Sequence, residues 1–131
     1  MSYQRRIRLA DQTETMPLLK AAMTRMEPGQ VLVACLDKRR RLIELIPVLA
    51  PDNELPAMAE TLALAPKKVR GIVIATFRPN MVPADTPEDE PRWESMQAAL
   101  ADSHVTLLDW FVVGERWAWS VAEHAATPAK W

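Results

Sequence analysis

Thr76 and Arg78 close an apolar run, Val69 to Phe77, and Asp89 follows across a proline-rich loop, Pro79 to Pro87. Hydrolytic zinc sites set imidazoles and carboxylates at the end of such a strand. Here the strand end offers a hydroxyl and a guanidinium instead. The planar fork of Arg78 suits a bound carboxylate or phosphate, or an internal partner at Asp85 or Asp89. Asp89 has an alternative reading as the third residue of a helix opened by Thr86-Pro87-Glu88-Asp89, with Thr86 as N-cap. Other nucleophiles are few. The single cysteine, Cys35, lies in the apolar run Val31 to Leu36 and reads as a small core residue. No glycine elbow surrounds a serine. His104 and His124 share no His-x-His or His-Glu-x-x-His spacing with each other, so no metal site is expected from them.

Elements must position these groups. Asp11 and Glu14 resemble a capping box, and Met16, Leu19, Met23 and Met26 then repeat at helical spacing up to Glu27. Val31 to Asp37 reads as a strand, Lys38-Arg39-Arg40-Arg41 as a hairpin connection, and Leu42 to Leu49 as the returning strand. A helix follows with Leu55, Met58, Ala59 and Leu62 on one face, ending near Pro66. Gly71 to Phe77 is continuously apolar, as a central strand covered on both faces requires. The helix from Thr86 to about Asp102 turns Trp93, Met96 and Leu100 inward. Val105 to Val113 and Trp117 to Val121 form a closing hairpin around Gly114-Glu115-Arg116. The expected class is α/β, a mixed β-sheet sandwiched by helices in the order α-ββ-α-β-α-ββ. One domain spans 1–131: an N-terminal helical segment 1–30, a core 31–123 and a tail 124–131.

Between about Val31 and Glu123 these segments resemble the RadC-like branch of the JAB/MPN (JAMM) superfamily, a cytidine-deaminase-like topology. Leu36-Asp37-Lys38 through Arg41-Leu42-Ile43 resembles that family's first hairpin. Val73-Ile74-Ala75 and Pro79 resemble the strand leading into its His-x-His-Pro-Ser-Gly loop. Pro83, Thr86 and Asp89 fit the loop's continuation to Ser-x-x-Asp. Leu107 to Gly114 resembles its closing Leu-Leu-Asp-His strand and glycine turn. The resemblance implies a zinc site of two histidines and an aspartate, with a glutamate on the second hairpin strand taking the proton of zinc-bound water. In this chain Thr76 and Arg78 stand at the histidine positions, Asp89 at the aspartate, Ile46 or Pro47 near the glutamate, Asn80 and Met81 at the serine and glycine, and Trp110 at the closing-strand histidine. A fixed cation at Arg78 also repels a metal. The implied protein is a catalytically inactive JAB/MPN-like domain, with no catalytic residue, metal or cofactor, acting as a protein-binding or scaffold module. Its former metal cleft is lined by Thr76, Arg78, Asp89 and Trp110. The alternatives are a nucleic-acid-associated accessory protein and a metal-independent enzyme using the same cleft.

Composition bounds the partners. The 131 residues carry a net charge of −1, with 49% hydrophobic and 25% charged side chains, which fits a soluble globular chain without a global pull on nucleic acid or membranes. The run Lys38 to Arg41, with Arg5, Arg6 and Arg8, is the one concentration of positive charge, and on a hairpin turn such a run reads as a solvated tip, so nucleic acid is not the expected partner. There are five tryptophans. Trp117 and Trp119 share one face of the last strand. With Trp93 they form either core or an exposed aromatic patch for a protein partner. The Met16-to-Met26 stripe packs on the sheet or forms a dimer helix, so a homodimer is a second expected assembly. No signal peptide is read in Met1 to Arg6, and no run is long enough to span a bilayer. A cytoplasmic location is expected.

Overall fold

The computed structural model describes residues 30–78, 88–114 and 118–124, together with Pro17. The expected helix over Asp11 to Glu27 lies outside them. Strands β1 (Gln30–Leu36), β2 (Leu42–Leu49), β3 (Gly71–Phe77), β4 (Thr106–Val113) and β5 (Ala118–Ser120) form one sheet in the order β2-β1-β3-β4-β5. Only β3 and β4 run parallel, and the other pairings are antiparallel. Helix α1 (Leu55–Leu62) carries the chain from β2 to β3, and α2 (Asp89–Leu100) carries it from β3 to β4. A short α3 (Val121–His124) follows β5. The mixed α/β class follows from these elements.

β3 is the middle of the sheet, which explains its unbroken apolar run. Ile72 and Ile74 face the helices, packing with Leu55, Trp93, Met96 and Trp110. Val73 and Ala75 face the other side, with Leu32, Leu108 and Phe111. Both sets are buried, so β3 has no solvated face for polar residues.

The β1–β2 hairpin is tied by Asp37. Its Oδ1 accepts the N–H groups of Arg39 at 2.8 Å and Arg41 at 3.0 Å. Its carbonyl accepts the N–H of Arg40 at 3.0 Å, and its own N–H reaches the Arg41 carbonyl at 2.9 Å. Arg40 takes a left-handed conformation with φ of 64°. That position in such a three-residue loop normally belongs to glycine.

The chain's end differs from expectation. The last strand stops at Ser120 instead of Val121, and a helical turn follows. The Ser120 hydroxyl accepts the N–H of Glu123 at 3.3 Å, acting as a cap for that turn. Ser120-Val121-Ala122-Glu123 carries the Ser-x-x-Glu signature that marks this start. Among the described residues no helix is long and apolar enough to cross a membrane.

Cys35 lies on β1 under the helices and is buried. Burial pushes its thiol up from the usual range, and the carboxylate of Glu44 adds to this. The reactive thiolate is therefore scarce near neutral pH. Labelling of the folded protein by a disulfide reagent at pH 7.5 should run at least about a hundredfold slower than after denaturation, since it must wait for opening of the sheet. Equal rates in the two states would contradict the burial.

Candidate functional site

The residues singled out at the end of β3 meet. β3 ends at Phe77, and Arg78 extends its ladder by donating its N–H to the Val113 carbonyl at 2.8 Å. Thr76 and Arg78 fall on the same side of the strand as Ile72 and Ile74, the side covered by helices. Asp89 is the first residue of α2. Its carboxylate accepts two parallel bonds from the Arg78 fork, Nη1 to Oδ2 at 2.6 Å and Nη2 to Oδ1 at 3.0 Å. Both residues are buried, Arg78 at 7% exposure and Asp89 at 2%. Arg92, one helical turn on, reaches Asp89 Oδ1 with Nη1 at 3.3 Å.

Trp110 completes the cluster from β4. Its indole N–H donates to Thr76 Oγ1 at 3.1 Å. The Arg78 guanidinium carbon lies 5.7 Å from its ring centre, within cation–π reach. Thr76, Arg78, Asp89 and Trp110 are thus brought together, each buried and each in contact with another of the four. The Arg78 fork is spent on Asp89, not offered to a substrate.

Asp89 therefore has a different role from a capping residue. The residue before the helix is Glu88, with no side-chain cap bond. Thr86 and Asp85 lie outside the described residues. The carboxylate of Asp89 goes to Arg78, and charge compensation explains its burial.

Among the described residues of β2, no carboxylate stands level with this cluster. On β1, Val31 pairs with Val48 on one side and Thr76 on the other. The β2 residue abreast of Thr76 is thus an aliphatic one. Ile46 and Pro47 lie abreast of Ile74 and Ala75. The carboxylate on this strand, Glu44, is abreast of Ile72, about 13 Å back along the sheet at the usual strand rise. His104 is also distant. It precedes β4 at the opposite end of β3, and its Nε2 lies 3.1 Å from the Pro66 carbonyl. Among the described residues no three His, Cys, Asp or Glu side chains come together as a metal ion would need. The donor set does not fit zinc: one carboxylate, already paired, beside a permanent cation.

Of the two readings of the tryptophans, core or contact patch, the described ones take the first. Trp93 is 0% exposed and packs in the helix-side core. Trp119 is half-buried against that same core. Trp117 lies outside the described residues. On the last strand Trp119 turns toward the helices.

Two polar features were missed. Asp109, fully buried on β4, accepts the Ser120 hydroxyl at 2.6 Å and the backbone N–H of Trp110 at 2.8 Å. It sits where β4 slips register against β3, between Ile72 and Val73. The second is a concentration of positive charge where Arg70 leads into β3, discussed below. No protein-family model and no curated protein matches the chain.

Proposed function

We propose that this chain is a JAB/MPN-like domain whose former metal position is closed by an ion pair, and that it acts as a binding or scaffold module for a protein partner. The observation that supports this most is the convergence of Thr76, Arg78, Asp89 and Trp110. These are the positions that the resemblance assigns to the zinc site, and they lie in one buried cluster at a strand end. Their chemistry is that of a structural clamp. A paired guanidinium takes the place of a ligand and its metal. The pairing of Arg78 with Asp89 also argues against a metal-independent enzyme that uses the guanidinium, because a substrate would have to displace Asp89.

The test is metal content and its restoration. Native mass spectrometry of untagged protein should show less than about a tenth of an equivalent of zinc, as expected for a site short of ligands. The double variant Thr76→His, Arg78→His frees Asp89 to join two introduced imidazoles. It should take up close to one equivalent if the alignment is right. A variant that binds no more zinc than wild type removes the alignment. Wild-type protein carrying about one equivalent of zinc removes the inactive-site reading whatever the variant does.

A further inference from the structure

Two basic runs, Lys38 to Arg41 and Lys67 to Arg70, lie far apart in the sequence. The fold brings them together. The β1–β2 turn and the loop before β3 form the walls of one open cleft of about 320 Å³. Lys38, Arg39, Arg41, Lys67, Lys68 and Arg70 line it, together with a single acid, Asp37. All six cations are exposed. No ion pair joins them to another described residue. Asp37 turns one carboxylate oxygen to the backbone of the turn itself.

The walls are held by the sheet. The Arg70 N–H donates to the Leu36 carbonyl at 2.8 Å, and the Arg70 carbonyl accepts the Thr106 N–H at 3.0 Å. Val69, between the lysines and Arg70, is buried and donates to the Pro66 carbonyl at 2.9 Å. The cations therefore project from anchored backbone on two sides of a concave surface. This concentration exists in a chain whose net charge is −1. Such a local field gathers polyanions even where the whole molecule does not.

We infer that this cleft binds the sugar-phosphate backbone of nucleic acid without reading its sequence. Arginine forks and lysine ammonium groups both suit phosphate. The lining holds no aromatic residue to stack a base and no large apolar residue to enter a bilayer. Recognition thus falls on phosphates alone. Paired cationic walls fit a strand of phosphates better than a single anion. The inference does not depend on the JAB/MPN-like reading: it needs only the hairpin turn and the loop before β3.

The test is fluorescence anisotropy of the full chain with a labelled duplex of about 20 base pairs. Binding that neutralises three phosphates should weaken roughly fortyfold between 50 and 200 mM salt. Arg39→Glu with Lys68→Glu places one reversal on each wall. It should cost at least tenfold in affinity and flatten the salt slope, with an unchanged melting midpoint because both side chains are exposed. The milder Lys67→Gln, Lys68→Gln variant should lower affinity in the same direction and serves if the reversal disturbs folding. Duplex binding that is the same in wild type and in a folded variant would overturn the inference. So would tight binding of inorganic triphosphate with no binding of duplex, which would assign the cleft to a small polyphosphate.

Discussion

Arg78→Ala and Asp89→Ala should each lower stability by about 3–5 kcal/mol, because each strands the other charge in a buried site. For a chain of this size that is a fall in melting midpoint of roughly 10–20 °C. Asp89→Ala leaves a guanidinium against the Trp110 ring with its carboxylate gone and a second cation, Arg92, on the same helix. Arg78→Ala leaves a carboxylate at the start of α2, where the helix N-terminus and the partly exposed Arg92 give some compensation. Asp89→Ala should therefore be the worse of the two. Replacing both by apolar residues, Arg78→Met with Asp89→Leu, should cost less than either single change. Thermal denaturation of the four proteins decides it. Single variants that melt within a degree or two of wild type would mean that the pair is solvated and that the cleft stands open.

Trp93→Ala should cost about 3–5 kcal/mol, the usual toll of deleting a fully buried large aromatic. Trp93 packs between α2 and the sheet, where Ile72, Ile74 and Trp110 also contribute. Its place in the chain also suited an aromatic contact patch. The two roles give opposite results. A contact residue could be truncated with a change of no more than about 0.5 kcal/mol. Urea unfolding of the variant separates them, and a shift below that limit would return Trp93 to the surface.

Much of the framework was legible because local signals and burial agreed. Leu42–Leu49 and Gly71–Phe77 have the expected bounds. A hairpin tip marks the first, and a run without a polar residue until Thr76 marks the second. The helix bearing Trp93 was legible from its inward set of Trp93, Met96 and Leu100. Its first turn kept two readings because Asp89 suits two jobs. Helical propensity favours an acid there, and so does the guanidinium of Arg78. Only the fold shows which claim the carboxylate answers. Trp119 on the last strand shows a different limit. Alternation tells which residues share a face, but not which face looks inward. Proximity of distant segments was the least legible. Lys67, Lys68 and Arg70 are ordinary loop cations until the sheet sets them beside the hairpin. Asp109 was hidden in an otherwise apolar strand, its partner Ser120 visible only once β5 is laid against β4.

Arg40 brings two selective pressures into conflict. A non-glycine residue held at φ of 64° costs on the order of 1 kcal/mol relative to a residue free of that clash. Arg40→Gly would relieve it and firm the hairpin. The same exchange would take a positive charge from beside the basic cleft. A search for heat-tolerant variants would drift toward glycine here, and a search for tighter polyanion capture would hold the arginine. Which residue a laboratory population settles on would show which property that population was being asked to keep.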